Sequence, residues 1–262
     1  MAAVEAVYVD EGDVITPTEF AAGPWDPTVQ HGGAPAALLA RAIEATQPPG
    51  AGQVVRVTIE LIRPVPLAAL KVATRTLRNG RKLQLIEAIL TAQSTQVARA
   101  TAVRLRSTHL DLPPEAMSTR EASPPGPGTG TTPQPSGTNP YFTGIDTRVV
   151  AGSLSAPGPA TAWFRLTRPI VAGEEPSPLM RVMAVADFAN GISSLLDPRQ
   201  WSFINADLTV CCHRHPAGEW VALDSQTVLS GTGIGCTLSH LHDTTGPLGW
   251  SQQNLLIDRR PS

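Results

Sequence analysis

Residues 54–106 read VVRVTIELIRPVPLAALKVATRTLRNGRKLQLIEAILTAQSTQVARATAVRLR. Within this run, VVRVTIELIRP, ALKVATRTLR, LQLIEAILTA and QVARATAVRLR are short, rich in β-branched residues and broken at turn residues such as Asn79-Gly80. Their length and composition favour strands over helices. Upstream lies one apolar helix-like run, APAALLARAIEA, preceded by the strand-like text VYVDEGDVI. The same order returns later: AWFRLTRPI, then PLMRVMAVADFANGISSLL, then FINADLTVCCHR, EWVALDSQTVL, GCTLSHLH and LGWSQQNLLI. Further breaks fall at Ser230-Gly231 and Thr245-Gly246. Each copy predicts strand, long helix, then antiparallel sheet, an α+β layer arrangement in which a helix of about 15 residues packs on one sheet face.

Between the copies, residues 107–140 are dense in Pro, Gly, Ser and Thr and nearly empty of apolar residues after Met117. Such a stretch buries no core and reads as a linker between halves 1–106 and 141–262. Laid over each other at a constant offset of 151 residues, the halves bring Arg63 to Arg214, Gly80 to Gly231, Thr58 to Thr209 and Thr76 to Thr227. We read one ungapped register for turn, strand and helix, the mark of a duplicated unit.

The chain has 262 residues, 42% of them apolar and 16% charged, a globular composition with room for a real core. A net charge of -2 with no basic stripe argues against nucleic acid as a partner. No apolar run approaches the roughly 20 residues that span a bilayer. The acidic start MAAVEAVYVDEGD lacks the pattern of a signal peptide. Three cysteines, with Cys211 and Cys212 adjacent, make no disulfide framework. A cytoplasmic protein is expected.

The duplication also filters for function, because residues needed only for the fold recur in both copies. At the offset, Asp187 faces Ala36, Asn205 faces Val54, Gln253 faces Ala102, and His31-Gly32-Gly33 faces Val182-Met183-Ala184. Asp187 lies in the otherwise apolar MAVADFANGI. It reads either as a general base or water-orienting carboxylate, or as a surface aspartate paired with a nearby cation such as Arg181. His31-Gly32-Gly33 precedes a helix with Pro35 in its first turn, where free amides attract an oxyanion. The same glycines also suit a plain tight turn. Asn205 and Gln253 fall on predicted strands, where an amide can hold a water or simply cap a strand. His213-x-His215 and His240-x-His242 put paired imidazoles on one strand face, but no supporting Cys or carboxylate spacing is present and no metal is expected. Cys211 and Cys212 read as structural thiols, and the five tryptophans as core or rim packing. No nucleophile elbow, Walker A loop, Rossmann fingerprint or zincin motif occurs.

The text WDPTVQHGGAPAALLARAIE, later ADFANG, NADLTVCCHRHPAGEW and the closing QNLLIDR together resemble the acyl-CoA thioesterases of the double-hotdog type, within the 4-hydroxybenzoyl-CoA thioesterase superfamily. The chain is similar to the bacterial type II acyl-CoA thioesterases over roughly 15–106 and 160–260. The resemblance implies a double hotdog: two long helices, each wrapped by a curved antiparallel sheet, with the sheets joined as a pseudo-dimer. It implies hydrolysis of an acyl-CoA in lipid metabolism, with no cofactor. The family's water-orienting Asp and Gln fall on Asp187 and Gln253, and its Thr position on Asn205, a departure that lacks the hydroxyl. Gln252 is the adjacent register for Gln253. In related single hotdogs an HGG amide serves the thioester carbonyl, which falls on Gly32 or Gly33, with His31 as a helper. The CoA phosphates are expected at Arg78, Arg81 or Lys82, and the acyl chain in an apolar tunnel beside the helices. A further expectation is a homo-oligomer, a dimer of double hotdogs. Two alternatives stand beside hydrolysis: a hotdog enoyl-CoA hydratase or dehydratase, disfavoured because no His follows Asp187 closely, and a non-catalytic acyl-CoA or lipid-binding module.

Overall fold

The computed structural model describes residues 5–46, 52–117, 123–133 and 139–260. Their strands form a single 13-stranded sheet. The first half supplies β1 (Tyr8–Asp10), β2 (Ile15–Pro17), helix α1 (Gly33–Glu44), β3 (Gln53–Leu61), β4 (Leu70–Asn79), β5 (Leu83–Ala92) and β6 (Thr95–Leu105). A short turn of helix, α2 (Pro114–Met117), follows. The second half supplies β7 (Ile145–Ala151), β8 (Ala160–Leu166), α3 (Pro178–Ala186), α4 (Ala189–Ile192), β9 (Trp201–Asn205), β10 (Asp207–Cys212), β11 (Val221–Leu229), β12 (Ile234–Asp243) and β13 (Gly246–Arg259). The order is β1-β2-β4-β5-β6-β3-β10-β13-β12-β11-β8-β7, with β9 paired beside β13.

The halves meet where β3 runs antiparallel to β10, with Thr58 opposite Thr209. Their hydroxyls touch at 3.1 Å. The hairpin strands keep the offset of 151: β5 begins at 83 and β12 at 234, while β6 begins at 95 and β13 at 246. A one-residue slip would turn every buried side chain of these strands outward, so the register is held strictly. In β13 the alternation is visible directly: Ser251, Gln253, Leu255 and Ile257 are buried while Gln252, Asn254 and Leu256 are exposed.

The helices do not keep that offset, which corrects the ungapped register. α1 begins at 33 and α3 at 178, 145 positions later. The pairing of Asp187 with Ala36, and of His31-Gly32-Gly33 with Val182-Met183-Ala184, therefore has no structural counterpart. Nor is the second helix one long rod: α1 has 12 residues and α3 only 9. The physical cause lies at Ala184. Its carbonyl accepts from the Tyr141 hydroxyl at 2.9 Å, and the Phe188 N–H turns instead to the Val185 carbonyl at 3.0 Å. That exchange breaks the i→i−4 ladder and leaves Asp187 at the helix end.

The core lies between the sheet and the helices. α1 buries Ala34, Ala36, Ala37, Leu38, Leu39, Ala40 and Ile43, and α3 buries Leu179, Met180, Val182, Met183 and Val185. Fully burying a Leu or Ile side chain contributes about 1.5–3 kcal/mol. Of the Pro-rich segment, Pro125 accepts from the Trp163 indole at 2.7 Å, and Thr131 bridges to Val149.

Candidate active site

Asp187 is buried at the end of α3. Two strands hold its carboxylate. Asn205, at the end of β9, donates from Nδ2 to Oδ1 at 2.6 Å, and Gln253, on the inner face of β13, donates from Nε2 to the same oxygen at 3.1 Å. Gln253 Nε2 also reaches the Asp187 carbonyl at 3.4 Å. Asn190 ties the two amides together: its backbone N–H donates to Gln253 Oε1 at 3.2 Å and its Nδ2 donates to Asn205 Oδ1. Oδ1 is thus taken by amides and Oδ2 turns the other way, toward the start of α1.

There, a Cβ on Gly32 would lie 2.7 Å from Asp187 Oδ2, and one on Gly33 would lie 2.3 Å from the Ala184 carbonyl oxygen. Gly32 has φ -59 and ψ -26, which any residue adopts, so glycine serves here for close approach. His31 Nδ1 lies 3.2 Å from Asp187 Oδ2. The same nitrogen accepts from the Gly33 N–H at 3.0 Å. One nitrogen cannot donate and accept at once. As acceptor, the ring carries its proton on Nε2; as donor to Asp187, it releases the Gly33 amide. The His31 ring stacks on Tyr141 at 4.8 Å between centroids and tilts against Phe188 at 4.5 Å. Burial holds the imidazole below its ordinary pKa, opposed by the charge of Asp187. Burial, then the same charge, raises the Tyr141 phenol well above the usual range.

The structure brings together Asp187, Asn205, Gln253, His31, Gly32 and Gly33, from both halves of the chain. Gln252 is exposed and Gln253 buried, which resolves their register. The pairing of Asp187 with Arg181 is overturned, since Arg181 bonds Glu175 at 2.6 Å and the Gly218 carbonyl at 3.2 Å. Both groups of the Asn205 and Gln253 side-chain amides are engaged within this network. As an amide donor Gly33 is engaged by His31, whereas the Gly32 N–H meets no acceptor among the described residues.

Arg78, Arg81 and Lys82 are not brought to the site. Arg78 lies at the end of β4 and Arg81 and Lys82 in the β4–β5 turn, whose neighbour Arg104 bonds the Ile43 carbonyl at 2.9 Å at the far end of α1. That end lies about 18 Å from Gly32 at 1.5 Å per residue. His215 bonds the Val54 carbonyl at 2.8 Å, and among the described residues no three His, Cys, Asp or Glu gather as a metal would need. Sequence reasoning missed Asn190 and Tyr141. Asn190 is three residues after Asp187, a helical same-face spacing that could have shown it. Tyr141 adjoins the Pro-rich segment and carried no signal.

A hotdog fold is the class that this sheet and its buried helices define. A conserved hot dog-fold protein from Alicyclobacillus acidocaldarius superposes with a TM-score of 0.73 at 14% identity, over 99% of this chain and 97% of the other. A protein assigned as a thioesterase II from Thermobifida fusca gives 0.74 at 19% identity, over 97% and 96%. The acyl-CoA thioesterase II TesB2 of Mycobacterium marinum gives 0.68 at 15%, over 96% and 94%. No curated protein sequence matches the chain. The acyl-CoA thioesterase N-terminal domain family matches residues 21–105, and the acyl-CoA thioesterase C-terminal domain family matches 115–257. The chain belongs to the acyl-CoA thioesterase family and is a thioester hydrolase.

Proposed function

We propose that the chain hydrolyses a fatty or related acyl-CoA to free acid and coenzyme A, with Asp187 as general base. The observation that carries this reading is the meeting of Asp187 Oδ2 with the start of α1, where a Cβ on Gly32 would overlap it. Oδ2 takes a proton from water as the water oxygen bonds to the thioester carbon. The Gly32 N–H, at the positive end of α1, stabilises the oxyanion. The tetrahedral adduct collapses, the C–S bond breaks, and the proton on Asp187 passes to the departing thiolate. Asn205, Gln253 and Asn190 keep Oδ2 aimed.

The architecture supports reading residues 1–106 and 141–262 as two hotdogs of a pseudo-dimer joined by 107–140, with the Thr58–Thr209 contact on its axis. All three cysteines are free, which suits a cytoplasmic protein in lipid metabolism. Among the described residues no helix is long and apolar enough to cross a membrane. Exposed Ile204, Val228, Ile234, Leu238, Trp250 and Leu256 on the second half support pairing of two copies.

The test is a panel of acyl-CoA esters of graded chain length, followed by release of free thiol. Turnover on at least one ester is expected; none on any would end the hydrolase assignment. One observation favours a second reading. Sequence placed no His near Asp187, yet His31 stands 3.2 Å from it. Hydration of crotonyl-CoA without thiol release would turn the assignment to a hydratase, and tight binding without either reaction to a binding module.

A further inference from the structure

Two exposed or half-exposed tryptophans and two arginines form one cluster at the end of β9 and β13, and the chemistry above leaves them unused. Arg259 lies over the Trp201 ring at 5.0 Å and Arg260 over the Trp25 ring at 4.9 Å. The Arg260 Nε donates to the Trp201 carbonyl at 3.4 Å, joining the two stacks. Neither arginine has a carboxylate partner among the described residues. Asp258 alternates with Arg259 along β13 and pairs with Ser202, and Asp26 is engaged by the Thr28 N–H and hydroxyl at 2.8 and 2.7 Å.

Three elements connect this cluster to the carboxylate. On β9, Trp201, Phe203 and Asn205 share a face by the period of two, and they pair with Arg259, Ile257 and Leu255 of β13. Asn205 bonds Asp187, so one strip runs from the catalytic network over the apolar pair Phe203 and Ile257 to Trp201 and Arg259. Its length is about 13 Å at 3.3 Å per residue, on the order of a pantetheine arm with its two amide units. The third element is the segment leading to α1, which carries Trp25 in its middle and His31 at its end. Beside it lies a cavity of about 150 Å³ lined by Ala22, Gly23, Pro24, Pro27 and Pro140. The Ala22 carbonyl accepts from the Tyr141 N–H at 3.1 Å, and its neighbour Ala21 accepts from the His31 N–H at 2.9 Å, so this cavity adjoins the histidine stack.

We propose that Trp25, Trp201, Arg259 and Arg260 bind the nucleotide end of coenzyme A, the adenine on a tryptophan face and the phosphates on the guanidinium groups. The proposal rests on the acyl-CoA reading above and gives the phosphates a place that Arg78, Arg81 and Lys82 do not. Guanidinium groups pair well with phosphate oxygens, and an indole offers a flat face to a purine.

The experiment compares each acyl-CoA with the acyl-pantetheine of the same chain, in the wild type and in Arg259→Ala, Arg260→Ala and Trp25→Ala. It also titrates free coenzyme A into each protein by calorimetry. The wild type should prefer acyl-CoA. Each arginine variant should lower the acyl-CoA to acyl-pantetheine ratio of kcat/KM about tenfold, through KM, with coenzyme A binding weakened in parallel. Arg260→Lys should restore part of the ratio. An unchanged ratio, or equal loss on both substrates, overturns the proposal. If no ester is turned over, the hydrolase reading fails while the titration still decides this one. Coenzyme A binding that is absent from the wild type, or undiminished in the arginine variants, overturns it.

Discussion

The two crossings of α1 and α3 have the same plan and opposite fates. At one, the carboxylate that ends α3, Asp187, faces the first residues of α1. At the other, the carboxylate that ends α1, Glu44, faces the start of α3, where the Ser177 hydroxyl donates to Glu44 Oε2 at 2.5 Å. Ser177 also caps its helix by accepting from the Met180 N–H at 3.0 Å. Burial raises the Glu44 pKa, and the Ser177 bond opposes that rise. The second crossing is closed by a serine; the first is kept open by glycine, with a histidine beside it. Antiparallel helices bring each C-terminal carboxylate to its neighbour's positive end whatever the function. What distinguishes the crossing we propose as reactive is the group across from the carboxylate and the amides bonded to it.

The strongest way to break this contrast is to neutralise each carboxylate in turn. Asp187→Asn should lower kcat by about 10²–10⁴ with the fold intact by circular dichroism. Glu44→Gln should leave kcat within about twofold of the wild type, because the Ser177 hydroxyl already occupies that carboxylate. Equal losses in the two variants would make the contrast meaningless. Next comes Gly33→Ala. The added methyl meets a backbone carbonyl of α3, which cannot swing aside, so unfolding by urea should show a loss of about 1–3 kcal/mol. Gly32→Ala meets the Asp187 carboxylate instead, so it should displace that group and harm turnover more than stability.

The pH dependence sharpens the comparison through His31. Its pKa in the folded protein is lowered by burial, so the unfolded chain binds the proton more readily. The histidine's contribution to stability is therefore full above its ordinary value of 6.5 and is lost as pH falls through the lowered folded value. The free energy of unfolding should decline on acidification below about pH 6.5 by no more than about 1.4 kcal/mol per pH unit from this group. His31→Gln should flatten that slope; an unchanged slope would show that the ring does not titrate with folding. The smallest effect is expected at the junction of the halves. Thr58→Val removes the contact with Thr209 and should cost about 1 kcal/mol in a denaturation curve.

Much of the sheet was legible in the sequence because strands obey a strict period. The offset of 151 holds for β5 with β12 and β6 with β13, and it places Gln253 on the same face as Ala102. The helices were legible as apolar runs but not in their lengths. The break after Ala186 comes from the Tyr141 hydroxyl, 43 residues away in the chain, taking the Ala184 carbonyl. No local pattern announces a competitor for a helix carbonyl. Asp187 could be singled out because a carboxylate in an apolar run needs donors, whereas Asn190, an uncharged amide, carries a smaller burial cost and gives a weaker signal.

By itself the sequence determined which residues alternate in and out of the sheet, where turns fall, and which polar residues sit in apolar surroundings. These depend on near neighbours and on periodicity. Only the tertiary structure decided that His31 and Asp187, 156 positions apart, face each other within 3.2 Å, and that Arg78, Arg81 and Lys82 lie at the other end of α1. Such distances depend on how two helices cross, and that crossing is set by the summed packing of both halves.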